Sequence, residues 1–241
     1  AENWMLEGEQ AKQFKKSLKS ERGMSFLFGS EDLPARLMDA SGPDTLYLQA
    51  DTLQLESHFI RAWPRVKLEQ GSAVAICDTL IWNEVDSLID LKNEPHLWLE
   101  GQFLRADSVT LTMRQNSPDR LHAWGHVGLM HPAGDSCYQQ IAGRDLLGQF
   151  LRGKLRDIEV SGNAELVYFD AEAENAACGE FNRAACSRLQ IVLEGGEAKT
   201  IVLLDDPFGV WLSWDSPEAS PIIEDLHWIS PPHSIAGQMS N

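Results

Sequence analysis

Apolar and polar residues alternate in short runs along most of the chain. Between residues 44 and 212 these runs are separated by Gly, Asn, Asp and Pro, which favour turns. In one clear run Val109, Leu111 and Met113 alternate with threonines. Because alternate side chains of a strand point to opposite faces, one face of each run is expected to turn inward. The pattern predicts many short strands around an apolar interior.

A strand opening recurs along the chain. It reads Ala50-Asp51-Thr52-Leu53, Cys77-Asp78-Thr79-Leu80 and Ala106-Asp107-Ser108-Val109, with spacings of 27 and 29 residues. Weaker copies are Gly143-Arg144-Asp145-Leu146, Ala185-Cys186-Ser187-Arg188-Leu189 and an earlier one at Gly8-Glu9-Gln10-Ala11. Recurrence at a nearly fixed period indicates a repeated strand pair.

Each opening is followed by a segment whose alternation is interrupted and then resumes. The interruptions are Asn93-Glu94-Pro95 within residues 87–99, Gly162-Asn163-Ala164 within 155–168, and Asp205-Asp206-Pro207 within 201–212. Gly or Pro inside a strand marks a bulge, a bend or an edge. Breaks in successive strands predict a sheet creased along one line, with two halves that face each other. Such units must stack to bury their apolar faces, and the end units present open edges.

The chain length of 241 residues suits one large all-β domain or two small ones. We expect an N-terminal segment at 1–43 that forms the first repeat, a region of repeats at 44–214 and a tail rich in Pro and Ser at 215–241. Residues 8–21 also have a composition compatible with a helix. The tail is expected to contribute little core of its own.

Composition narrows the function classes. The chain has 20 Lys and Arg against 36 Asp and Glu, a formal net charge of -16. Such a surface repels nucleic-acid phosphates, so no nucleic-acid partner is expected. No apolar run approaches the roughly 18 residues that span a bilayer.

Four cysteines are present, and none forms a C-x-x-C pair. Cys178 and Cys186 flank a short stretch that resembles a loop, and they could form a disulfide in an oxidising compartment. The alternative is that both are free thiols in or near strands.

The ionisable residues offer little catalytic chemistry. The repeated Asp51, Asp78 and Asp107 could suggest catalysis or calcium binding, but an Asp that opens a strand is expected to bond local backbone in a turn. His122, His126 and His131 lie close in sequence, yet no acidic or thiol ligand stands at a standard metal spacing. Motifs of serine hydrolases, zinc proteases and phosphate-binding loops are absent. We therefore predict no enzyme, no catalytic residue, no cofactor and no metal.

Trp63, Trp98, Trp124 and Trp211 all fall in the second kind of segment. Packing within strands and at edges is the expected role of these side chains. A sugar-binding platform remains the alternative.

The ordered motifs resemble the OstA-like proteins related to LptA, the periplasmic bridge of lipopolysaccharide transport, and especially the longer OstA-like proteins of Bacteroidetes. The resemblance covers roughly residues 4–228. The residues that carry it are 44–53, 77–80, 90–98, 106–108, 141–146 and 160–165. Any single A-D-x-L motif is common, whereas the ordered series is fairly specific.

The resemblance implies an antiparallel β-jellyroll, also called a β-taco, that holds the acyl chains of lipopolysaccharide or lipid A in an apolar slot. It also implies a periplasmic location after removal of a signal peptide. Partners would join through edge strands: other bridge proteins, an outer-membrane assembly barrel, or copies of the chain head to tail. Family members usually carry additional N-terminal repeats, so this chain is expected to be a C-terminal portion.

The alternating apolar positions are the candidates for the slot lining. They are Leu53, Leu55, Leu80, Trp82, Ile89, Leu91, Leu97, Leu99, Val109, Leu111, Met113, Ile158, Val160, Leu166, Tyr168, Leu189 and Ile191. Alternation alone is equally compatible with a packed core. The alternative function is therefore a structural β-repeat or cell-surface module with a filled interior and no lipid cargo.

Overall fold

Strands dominate the computed structural model of the protein. It describes residues 4–7, 25–29, 34–40, 44–115, 117–134, 137–169, 178–214 and 220–235. Within these ranges there are nineteen strands and no helix, and hence no helix that could cross a membrane. All the strand ladders described below are antiparallel. The predicted all-β, antiparallel fold of the β-jellyroll or β-taco kind is confirmed.

The strands belong to two compact units. The first comprises residues 1–98, 108–117 and 231–241, and the second comprises 99–107 and 118–230. Residues 8–21, whose composition is also compatible with a helix, and the earliest strand opening lie outside the described residues.

The first unit contains two rows of paired strands. One row is β1 (Trp4–Glu7), β3 (Ala35–Asp39), β4 (Leu46–Ala50), β7 (Val66–Gln70), β8 (Ala73–Cys77) and β11 (His96–Leu99), in that order of pairing. The other is β2 (Ser25–Phe28), β5 (Thr52–Glu56), β6 (Phe59–Trp63), β9 (Thr79–Asn83), β10 (Leu88–Lys92) and β13 (Ser108–Arg114). The chain passes repeatedly from one row to the other.

The predicted repeats mark these crossings. Asp51 separates β4 in the first row from β5 in the second, and Asp78 separates β8 from β9 in the same way. The return crossings contain Arg65 and the pair Asn93-Glu94, all with positive φ between 56° and 63°. Left-handed backbone changes the direction of the chain within one or two residues, without a long loop. The breaks in alternation are therefore corners of the fold, as the sequence predicted.

Long strands form most of the second unit. They are β14 (Ser117–Pro132), β15 (Tyr138–Leu151), β16 (Lys154–Phe169) and β17 (Glu180–Glu194). Shorter strands complete the unit: β12 (Gln102–Arg105), β18 (Glu197–Leu204) and β19 (Phe208–Ser213). β12 pairs with β14, and β18 and β19 pair with different parts of β17.

Bulges produce the bends in the long strands. The register of the β14–β15, β15–β16 and β16–β17 ladders shifts at Trp124/Val127, Ala142/Asp145 and Ser161/Ala164. Gly125 and Gly162 lie in the first and third shifts with φ of 74° and 81°. A bulge bends its strand and increases the local twist. The bulges divide every long strand into two arms.

One disulfide joins two cysteines that are 41 residues apart in the sequence. Cys137 is bonded to Cys178, with 5.8 Å between the two Cα atoms, whereas Cys186 is free and buried. Cys186 Sγ lies 3.1 Å from the carbonyl oxygen of Arg188 in the same strand. The sequence left a Cys178–Cys186 bond and two free thiols as alternatives; that bond is not formed, and a free thiol is right for Cys186 alone. Ladder pairing, and not sequence proximity, determines which residues meet at the ends of β15 and β17.

Residues 220–235 contain no strand but contribute buried side chains, which their composition did not indicate. In the second unit Ile223 and Leu226 are 4% and 1% exposed. In the first unit Ile235 is buried, and its backbone N–H donates to Glu69 Oε2 at 2.6 Å. The Glu69 carboxylate also accepts from Ser234 Oγ and pairs with Lys67.

We predict that Gly162→Ala destabilises the protein by about 2–4 kcal/mol. A Cβ at this position would lie 2.8 Å from Arg144 Cβ, and the residue also needs positive φ. The matched control is Gly153→Ala, which has a similar φ of 79° but open space around the new Cβ. It should cost only about 1 kcal/mol. Urea unfolding measures both, and equal costs would contradict the tight corner.

Removal of the disulfide by Cys137→Ser/Cys178→Ser should lower the free energy of unfolding by about 3–4 kcal/mol, because the bond closes a loop of 41 residues. Cys186→Ala serves as a control that removes no crosslink. Alkylation of the unreduced, denatured chain should label Cys77 and Cys186 only. Labelling of Cys137 or Cys178 would contradict this pairing.

Candidate functional site

An apolar pocket lies between the two arms of the long strands in the second unit. One arm of the sheet contributes Leu129, Ile141, Leu166 and Tyr168, and the other contributes Ile158, Ile191, Leu193 and Ile201. The cavity volume is about 50 Å³, room for about one or two water molecules. The pocket is narrow, and its walls are side chains of two facing sheet surfaces.

Polar groups line part of this pocket. His131 Nε2 lies 3.5 Å from Glu197 Oε1, while His131 Nδ1 is buried and has no hydrogen-bond partner among the described residues. Gln139 is held by the backbone of Phe169, to which its amide donates at 2.9 Å and from which its carbonyl accepts at 2.7 Å. The pocket therefore combines apolar walls with a histidine that can still make a hydrogen bond.

A second cavity in this unit is almost filled. It has a volume of about 10 Å³ and is lined by Leu99, Gln102, Leu104, Leu121, Leu129, Leu146 and Leu155. The interior of the unit is thus packed in one part and slightly open in another.

The predicted lining residues of the second unit fall into three groups. Ile158, Leu166, Tyr168 and Ile191 line the larger pocket, and Leu99 lines the smaller cavity. Val160 and Leu189 are completely buried core residues paired across the β16–β17 ladder. Only four of these positions therefore meet at the pocket.

In the first unit the predicted positions lie on the strands of both rows. Eight are buried: Leu53, Leu55, Leu80, Ile89, Leu91, Leu97, Val109 and Leu111. Trp82 and Met113 are half-buried. Leu53, Leu80 and Leu91 have no exposed surface, as expected for a packed core.

Sequence reasoning missed half of the apolar pocket wall. Leu193 and Ile201 continue the alternation of β17 and β18, so extension of the pattern past Ile191 would have found them. Leu129 and Ile141 lie next to bulges, where the register of alternation changes. Because of this change, the alternation of the sequence does not show which neighbouring residues lie on the same face of the sheet as Leu129 and Ile141.

The strand-opening aspartates pair with side chains, which corrects the prediction that they bond local backbone. Asp51 accepts from Arg65, and Asp107 lies 2.9 Å from His126 Nδ1. Asp78 Oδ2 accepts from Asn93 Nδ2 at 3.1 Å and from the neighbouring Thr79 hydroxyl. Apart from Thr79, the partners are Arg65, Asn93 and His126. Each of them lies at the next corner along the chain, close to the aspartate that it contacts.

The three histidines do not converge. His122 contacts Asp145, His126 contacts Asp107, and His131 contacts Glu197. Among the residues that the structure describes, no group of three His, Cys, Asp or Glu side chains could hold a metal. Burial raises the pKa of the Cys77 thiol to about 12, so the reactive thiolate is disfavoured at neutral pH.

Exposed apolar side chains occur on the last two strands. Phe208 and Trp211 on β19 are 70% and 58% exposed, and Val202 on β18 is 39% exposed. In the ladders of the described residues, β18 and β19 each pair with β17 alone. A strand with one unpaired side can accept another strand.

Comparisons with protein-family models, with curated proteins and with solved structures found no match. The functional argument therefore depends on the strands, the pocket and the edge described above.

Proposed function

We propose that this protein is a periplasmic lipid carrier that holds acyl chains of lipopolysaccharide or lipid A during transport to the outer membrane. The observation that carries the proposal is the apolar pocket between the two arms of the second unit. Its walls include four residues that alternation and the family resemblance had assigned to a slot: Ile158, Leu166, Tyr168 and Ile191.

The energetics favour acyl chains as the cargo. Burial of each methylene contributes about 0.8 kcal/mol, so a chain of about a dozen carbons gains roughly 10 kcal/mol before the costs of binding. The present volume of about 50 Å³ is too small for such a chain, so the walls must separate when lipid enters. Ile201 lies on β18, which in the described part of the chain pairs with β17 alone, and this single pairing supports movement of the wall.

Three further features support the proposal. The Cys137–Cys178 bond suits an oxidising compartment such as the periplasm. The formal charge of -16 favours a binding mode in which lipid phosphates stay in water, away from the protein surface or bridged by divalent cations. The hydrogen-bonding capacity of His131 Nδ1 could be met by a polar group of the cargo.

The partners we propose are other bridge proteins, an outer-membrane assembly barrel and further copies of the chain. Among the described residues β18 and β19 each leave one side unpaired, which supports strand-to-strand joining. The proposed role is binding and transfer, with no chemical reaction, cofactor or nucleic acid.

A structural β-repeat module is the second candidate. The observation that favours it is the dense packing of much of the interior, including the cavity of only about 10 Å³ around Leu104 and Leu121. In this alternative the larger pocket is a packing defect and holds no cargo.

Lipid binding is tested with a pocket-filling variant. Ile201→Trp should reduce binding of a fluorescent acyl ligand at least tenfold, because the indole occupies the space between the walls. Gentle purification followed by native mass spectrometry should find acyl lipids on the unmodified protein and less on the variant.

The matched control is Val202→Trp on the same strand, because Val202 is not among the residues that line the pocket. It should bind acyl ligand as the unmodified protein does. No lipid on the purified protein, together with equal acyl binding by both variants, would support the packed module instead.

Edge joining is tested by the concentration dependence of association. The chain should form oligomers at high concentration, and Phe208→Lys/Trp211→Lys should weaken that association about tenfold because charge on an edge opposes strand addition. The control is Trp124→Lys, a 50% exposed tryptophan on β14, which is paired with both β12 and β15. Analytical ultracentrifugation measures all three, and a strict monomer would contradict edge joining.

A further inference from the structure

Residues 220–230, here called the strap, lie across the strands of the second unit without joining their ladders. Pro221, Ile222, Leu226, His227 and Trp228 line a cavity of about 290 Å³ together with Met130, Tyr138, Gln140 and Trp214. Met130, Gln140 and Gly128 all belong to the strand face that the strap covers. We call this covered surface the strap groove.

Two side chains of the groove hold the backbone of the strap. Gln140 is 2% exposed, and its amide donates to the carbonyl of Pro221 at 2.8 Å while its oxygen accepts from the N–H of Ile223 at 3.0 Å. Arg183 donates from Nη1 to the carbonyls of Ser220 and Ile222 at 2.8 and 3.1 Å. These bonds are made to main-chain groups of residues 220–223 and do not depend on the side chains at those positions.

Apolar contacts set the position of the strap. Trp228 stacks on Tyr138 with ring centroids 5.3 Å apart and meets Phe103 edge to face at 6.0 Å. Leu226 is 1% exposed and occupies the space above Gly128, where a Cβ would collide with its Cδ1 atom. The groove therefore has two backbone clamps and specific sites for Leu226 and Trp228.

The buried side chain of Gln140 indicates that the groove requires an occupant. With the strap absent, the Gln140 amide would lose both of its strap partners, and the apolar surface of Phe103, Met130 and Tyr138 would be uncovered. Such a surface favours occupation by a peptide that restores the same contacts.

We propose that the strap groove is a peptide-binding site that takes the strap of a second copy of this chain as well as its own. The occupant seen in the structure supplies the argument, because residues 220–230 of another copy carry the same backbone groups and the same Leu226 and Trp228. Exchange preserves every strap contact and changes only which chain provides it, which is why such swaps have a low energetic cost. The chain's own strap has the advantage of high effective concentration, so exchange increases with protein concentration.

Two variants of the 241-residue chain test the proposal by complementation. The first, Gly128→Val/Gln140→Ala, keeps the strap but loses the groove sites for Leu226 and for the backbone. The second, Ile223→Asp/Leu226→Asp, keeps the groove but carries a strap that cannot be buried. In neither variant can the strap bind fully in the groove of the same chain. In a mixture, the unaltered strap of the first variant can bind in the unaltered groove of the second.

The mixture should form a one-to-one heterodimer, at least about tenfold tighter than the self-association of either variant, measured by ultracentrifugation with one copy labelled. Edge joining of the kind proposed above would occur in each variant alone, so it is distinguishable from strap exchange. Circular dichroism establishes that both variants are folded. Folded variants that do not associate preferentially with each other would overturn the proposal.

A second measurement does not depend on two altered chains. A labelled synthetic peptide of residues 220–230 should bind the strap variant Leu226→Ala at least about tenfold more tightly than the unmodified protein. The strap of the variant competes less well for its own groove, because it lacks the Leu226 side chain. Addition of Gln140→Ala to that variant should remove the gain. Equal peptide binding to all three proteins would also overturn the proposal.

Discussion

The backbone corners are the constraint on which the other features depend. At Arg65, Asn93, Gly125 and Gly162 the chain adopts positive φ, and in the second unit the neighbouring ladder registers shift at the same places. Backbone hydrogen bonds join adjacent corners, such as Asp107 N–H to the carbonyl of Gly125 at 2.8 Å. Without these corners the strands would continue straight, and their apolar faces would have no opposite surface.

Because the corners divide each long strand of the second unit into two arms, the inner and outer faces have different roles. The inner faces supply the walls of the pocket between the arms, including Leu166 and Ile191. The strap covers part of an outer face. There the buried side chain of Gln140 forms hydrogen bonds with main-chain groups of the strap. A buried amide is tolerated there because both of its polar atoms are bonded.

The packing of the interior changes along the strands in a way that bears on the proposed cargo. Leucines fill the region around Leu104 and Leu121 almost completely, whereas the region near Leu193 and Ile201 keeps a small open volume. The open region includes β18, which pairs on one side only among the described ladders. A strand that is paired on one side only can move away from the opposite wall with the loss of fewer backbone hydrogen bonds than a strand that is paired on both sides.

The sequence by itself determined the strands, their repeats and the corners, because strand alternation and turn residues act over a few neighbouring positions. It predicted that Pro95, Gly162 and Pro207 interrupt strands, and that Ile158 and Ile191 face inward. Tertiary structure decided which distant residues meet: Cys137 with Cys178, Asp107 with His126, and the strap with Gln140. These pairings depend on ladder register and on bulges. A bulge adds one residue to a strand, so the side chains after it point to the opposite face. Alternation alone therefore could not separate the few pocket residues from the packed core, nor reveal that the Pro-rich tail covers a groove.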